Sequence, residues 1–147
     1  MKMFFLIICS AMFAFRPVPE GGSSNLTLLF QGIERTGGTV RLAMYNSKAD
    51  FMVEEKAMLY NFNVDRKGTL EVVIENLPIG SHAFAVFLDE NNNMVLDKNL
   101  MGVPTEPYGF SKTPPSKWRL PTWEEAVFEH GQSRKTHVVS LKRWALF

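Results

Sequence analysis

The sequence predicts an all-β chain, an antiparallel β-sandwich of about seven strands. Three observations carry this. Short runs rich in Val, Leu, Ile and Phe recur along the 147 residues, separated by clusters of Gly, Pro, Asn and Ser. One run, "TLEVVIENL" (69–77), sets Leu70, Val72, Ile74 and Asn76 against Glu71, Val73, Glu75 and Leu77, the period of two that a half-buried strand needs. One segment, "VPTEPYGFSKTPPSKWRLPTWEE" (103–125), holds five prolines and four aromatics. Proline withholds ladder hydrogen bonds, so that segment is a long excursion pinned by its aromatics and not a central strand.

The first residues, "MKMFFLIICSAMFAFRPVPEGGSS", read as an export signal: Lys2, an apolar run over 3–15, then a polar break. The run is short for a bilayer span and no second one follows, so no membrane span is expected in the mature chain. Residues 1–19 are therefore assigned to the signal and the start of a linker, 20–24 to the linker, and 25–147 to a single domain. Cys9 is the only cysteine, so removal of the signal leaves no disulfide to staple the fold. The formal charge of +1 becomes −1 once Lys2 and Arg16 are gone. Cations and acids are interspersed without a basic stripe, which argues against a nucleic-acid partner.

Within the domain, "NLTLLFQGI" (25–33) is a strand, "RTGGT" a turn, and "VRLAMYNS" (40–47) a second strand. "KADFMVEEKAMLYN" (48–61) is the sole helical candidate, a turn or two at most. The run 69–77, the turn "PIG" and "SHAFAVFLDE" (81–90) form an expected hairpin. "EEAVFEHG" and "KTHVVSLKRW", joined at Gly131 and Gln132, form another.

The chemistry concentrates in "FLDENNNMVLDKN" (87–99), where a strand stops in five oxygen-bearing side chains. Calcium takes six to eight oxygen ligands, and loops of the form D-x-[DN]-x-[DN]-G make alternate side chains converge on it. Asp89, Asn91 and Asn93 hold the first, third and fifth positions, the Val95 carbonyl the seventh and Asp97 the ninth. The twelfth is Leu100 where an EF-hand has Glu, and Met94 replaces the glycine that permits the sharp turn. With two formal charges the loop is expected to bind Ca²⁺ weakly, on the order of 10⁻⁴ to 10⁻³ M. The competing reading is a polar turn whose Asn side chains cap their own backbone.

Other constellations are poorer. His82, His130 and His137 are the only imidazoles and none has a partner at ligand spacing, so a zinc site is not expected. There is no "GxSxG", and Glu124 and Glu125 are adjacent, a poor acid–base pair. No catalytic residue is assigned and the chain is not expected to be an enzyme. Tyr108, Phe110, Trp118 and Trp123, interleaved with Lys112, Lys117 and Arg119, form a candidate ligand surface for a sugar ring or peptide; the alternative is that they plug the sandwich edge. The closing "KRWALF" is reminiscent of an outer-membrane barrel strand, but about eight spanning strands would consume most of the domain.

The runs "GGTVRLAMYNSKADF", "LPIGSHAFAVFLDENNNMVLDKNLMGVPTEPYGFSK" and "PTWEEAVFEH" resemble the secreted bacterial family catalogued as Domain of Unknown Function 2141, over residues 25–141. The resemblance implies a small exported all-β protein with a transthyretin-like or immunoglobulin-like sandwich. It supplies no catalytic residue and no function. That family usually writes its loop like "DENGNGKLD", with glycines at the positions of Asn92 and Met94. The expected role is an exported accessory or binding module, periplasmic, at the cell surface or secreted, whose partner is a cell-envelope or extracellular protein or glycan. The alternative is a carbohydrate- or peptide-recognition domain built on the 108–123 aromatics.

Overall fold

The structure, a computed structural model, describes residues 21–146; the expected export signal lies outside the described residues. Eight strands form two facing sheets. In the first, β1 (Ser23–Ile33) lies between β4 (Gly68–Pro78), antiparallel to it, and β8 (Thr136–Ser140), parallel to it. In the second, β2 (Thr39–Tyr45) lies between β3 (Met58–Asn63) and β5 (Gly80–Asp89), and β5 carries β6 (Tyr108–Phe110) on its other side. The short β7 (Phe128–His130) pairs with the beginning of that same β5. Strand β1 begins two residues inside the segment read as linker.

The core is the space between the sheets. Leu26, Leu28 and Phe30 of β1 and Leu70, Ile74 and Leu77 of β4 meet Val40, Leu42 and Met44 of β2 and Phe84, Val86 and Leu88 of β5. The alternation read in 69–77 holds up to Ile74 and then slips. Pairing steps from Leu26–Ile74 to Ser24–Leu77, and Asn76 takes φ 54° with its N–H on Asn25 Oδ1. This extra residue is a β-bulge, and it turns Leu77 into the core and Asn76 out.

Both expected hairpins are corrected. Strands β4 and β5 follow each other across a tight turn but join different sheets, and so do β7 and β8. Each pair is an arch over the core, because strands buried on one face satisfy that face better against the opposite sheet than beside one another. The helical candidate is corrected too: residues 54–56 make one 3₁₀ turn and β3 starts at Met58. Alternating burial of Met58, Tyr60 and Phe62 is a strand period that the surrounding Glu, Lys and Ala obscured.

The proline-rich segment interrupts an edge strand. Strands β6 and β7 run the same way along β5, opposite Phe87–Ala85 and then His82–Gly80. The chain leaves the edge at Ser111 and returns through the single helical turn α1 (Trp123–Ala126), which a Thr122–Glu125 capping box starts. Ser111 holds this excursion down: its hydroxyl donates to the Ala126 carbonyl and accepts the Phe84 N–H. Beyond β8, Lys142 pairs with Tyr108, closing the β6 side of the sandwich.

Candidate functional site

At the end of β5 the chain leaves the sheet on a buried carboxylate. Asp89 is 0% exposed. Arg41, from the neighbouring β2, donates its Nε–H to Asp89 Oδ2 at 2.6 Å. Within the loop, the Asn93 N–H reaches Asp89 Oδ1 and the Met94 N–H reaches Oδ2, at 3.1 and 2.9 Å. Burial pushes the Asp89 carboxyl up, but the Arg41 guanidinium and the two N–H donors together outweigh it and hold it below the usual carboxylate range.

The following turns repeat one motif. Asn91 Oδ1 accepts the Asn93 N–H and Asn93 Oδ1 accepts the Val95 N–H, at 3.1 and 2.9 Å. The amide nitrogens of Asn91 and Asn93 donate to the two oxygens of Asp97, at 2.7 and 2.9 Å. Such tight winding needs left-handed backbone, and Asn92 (φ 57°) and Met94 (φ 71°) supply it. Asn92 also ties the loop sideways, accepting from the Thr39 hydroxyl and donating to the Gly37 carbonyl. Gly38 lies under the loop: a Cβ there would stand 2.6 Å from the Asp89 carbonyl oxygen.

Thus four of the five expected metal-site residues, Asp89, Asn91, Asn93 and Asp97, converge through their side chains, while Val95 takes part through its N–H and exposes its side chain. The two carboxylates are already answered, Asp89 by Arg41 and backbone, Asp97 by two amides. Among the described residues no group of three or more His, Cys, Asp or Glu stands at metal-binding distance. The loop residues therefore fit calcium only as a mixed amide–carboxylate set, with the Asn91 and Asn93 amides turned to present oxygen.

Glu106 was not legible in the sequence. Its buried carboxylate accepts the Glu90 N–H on one oxygen and the Asp97 N–H on the other, 2.8 and 3.0 Å, pinning both ends of the loop. A glutamate between prolines carries no signal of that role. Arg143 adds a clamp from the C-terminal side, donating to both Glu90 oxygens and to the Thr105 carbonyl. Asn99 organises the next turn, its Oδ1 accepting the N–H groups of Met101 and Val103. On this braced base stand Met94, Val95, Leu100 and Met101, all exposed; Leu100 is 107% and Met101 83% exposed.

The aromatic surface is divided into three places. Tyr108 and Phe110 share the outer face of β6, edge to face at 6.0 Å and half-buried. Trp123 packs against Phe51, which packs against Tyr45, at 5.7 and 5.5 Å, so it pins the excursion to the sheet. Trp118 stands out, 78% exposed, edge-on to Trp144 at 5.0 Å with Lys117 Nζ 4.4 Å from the Trp144 ring centre. Beside it Arg119 grips Glu125 with two bonds of 2.7 and 2.6 Å, the main cause that lowers the Glu125 carboxyl to about 2.

Fold and site together define a class: a small β-sandwich with one end built into a braced loop of Asp and Asn and an apolar tip. The chain belongs to the family described as an uncharacterized protein conserved in bacteria (DUF2141), whose family model matches residues 29–138. No curated protein and no solved structure matches it. No helix among the described residues is long and apolar enough to cross a membrane.

Proposed function

We propose that the chain is an exported, non-enzymatic accessory module that holds a cell-envelope or extracellular protein or glycan at the 90–107 end of the sandwich. Export rests on the Lys2 and apolar 3–15 pattern of the first residues. The binding role rests on one observation: Met94, Val95, Leu100 and Met101 stay in water on a loop braced from beneath by Asp89, Glu106 and Asn99. A rigid apolar knob loses little conformational entropy when a partner covers it, and exposed apolar patches mark interaction sites. A photo-crosslinking residue at position 100 or 101, expressed in the native cell, is expected to give one discrete adduct. Val73 and Leu59, exposed on the strands, serve as controls; adducts that are identical from all four positions, or none at all, would sink the reading.

Calcium is the ion we propose for the 89–97 loop, as a weak structural ligand. The convergence of Asp89, Asn91, Asn93 and Asp97 supports it, as does the left-handed backbone at Asn92 and Met94 that winds the loop. A ligand that binds only the folded chain raises its unfolding midpoint by mass action. The midpoint is expected to rise with millimolar Ca²⁺ but not Mg²⁺, and Asp97→Asn, which leaves the Arg41–Asp89 pair intact, should remove the rise. A flat calcium series leaves the loop a self-capped turn.

The exposure of Trp118 favours a second reading, a carbohydrate- or peptide-recognition surface. Its test is fluorescence: acrylamide should quench Trp118, and a glycan or peptide ligand should protect it, with Trp118→Ala abolishing both.

A further inference from the structure

The three imidazoles of the chain, scattered in sequence at 82, 130 and 137, meet at the other end of β5. Phe128 lies among them, its ring centre 6.2 Å from His82 and 4.7 Å from His137, while His82 and His130 stand edge to face at 6.1 Å. Here the sandwich has a seam. Strands β7 and β8 belong to opposite sheets, and the closing bridge between Lys142 and Tyr108 lies toward the far end. A cleft of about 140 Å³ opens along the seam, lined by Leu26, Phe128, Glu129, His130, Lys135 and His137 among others.

Two of the histidines cross the seam. His130, on the β7 side, meets Ser24 Oγ of β1 at 2.8 Å. The Ser24 hydroxyl spends its proton on the Gly131 carbonyl, so His130 Nε2 must be the donor. His137, on β8, donates from Nε2 to the Ser111 carbonyl of the opposite layer and packs edge-on to Phe84. His82 is 1% exposed and donates its Nε2–H to the Pro78 carbonyl at 2.7 Å. Each imidazole thus donates from Nε2, and in His82 a second proton must go to Nδ1. The Nδ1 of His82 is buried with no hydrogen-bond partner.

We propose that the β7–β8 seam is an acid-opened latch: a proton taken up at the buried, unpartnered Nδ1 of His82 parts the two sheets here while the Asp89-braced end stays closed. The groups around His82 pull both ways. From β7, Glu129 is the one facing acid, and it also accepts the exposed Ser81 hydroxyl. Lys135 adds a cation to the cleft wall, and His130 lies edge to face against His82. From β2 the backbone of Tyr45 gives His82 weak help, and its phenol stays neutral; β4 and β1 present only Pro78 and Ser24. Burial, the largest influence, lowers the His82 pKa from its ordinary value, so the folded seam resists protonation and yields when it is forced.

Amide hydrogen exchange on the full chain from about pH 7.5 to about pH 5, corrected for intrinsic rate, tests this. Below about pH 6.5, opening at 128–130 and 136–140 is expected to rise by up to about tenfold per pH unit, while 42–44 and 84–88 stay protected. His82→Gln, which keeps a donor for Pro78, should flatten that rise. A flat profile at the seam, or an equal rise in β2 and β5, overturns the latch. Should the variant not fold, the wild-type His82 imidazole resonance decides: it must titrate in step with the opening, and titration without opening refutes it.

Discussion

Met94 holds a left-handed backbone, φ 71°, at a position where the loop must turn sharply. That conformation costs an L-residue about 1 kcal/mol, and glycine removes the cost. Met94→Gly is therefore expected to stabilise the fold by up to about 1 kcal/mol in urea unfolding, and to strengthen the calcium shift of the midpoint. An unchanged midpoint would mean that the Met94 N–H bond to Asp89 already absorbs the strain. Asp89 is the opposite case. Its replacement by Ala strands Arg41 and two loop N–H groups, with an expected loss of about 3 kcal/mol. The native carboxyl sits below its ordinary value, so its contribution is full above the unfolded pKa. It is lost as pH falls through the lower, native value, a window below about pH 4. Gly38→Ala should also destabilise, since its Cβ would press on rigid backbone and not on a movable side chain.

At the scale of elements, the 90–107 excursion separates bracing from display. Its acceptors Asn93, Asn99 and Glu106, with Asp89 at its root, are taken up by N–H groups of the loop, while Leu100 and Met101 leave their side chains exposed. Leu100→Asp and Met101→Asp are thus expected to leave stability within about 0.5 kcal/mol of the parent while abolishing the crosslinked adduct. Loss of folding would show instead that the tip packs inward. The 89–97 loop was legible because its chemistry is local: acceptors at alternate positions serve neighbours two residues on. Glu106, Arg41 and Thr39 were not, because each reaches the loop from a distant strand or a different turn. The two expected hairpins failed for a related reason. A turn between two strands is compatible with pairing or with an arch, and the choice depends on which partner covers each apolar face.

For the whole molecule, two pH windows follow. His82 is held below its ordinary value by burial, so its neutral form stabilises the fold above the unfolded value near pH 6.5. That stability is lost as pH falls through the lowered native value. Asp89 follows in the acid range. A midpoint-against-pH curve should therefore fall in two steps, and His82→Gln should flatten only the first. A single fall below about pH 4 in both chains would leave the histidine cluster without energetic weight.

By itself the sequence determined the strand character of β1, β2, β4 and β5, the all-β class, and the coiled Asp–Asn loop. These depend on periodicity and on bonds between near neighbours, both of which are written along the chain. The tertiary structure alone decided that β4 and β5 face each other across the core, and that four candidate aromatics occupy three separate places. It also brought three histidines, each unremarkable in its own segment, around Phe128. Such neighbours are set by how two apolar faces close on each other, and that closure leaves no mark at short spacing.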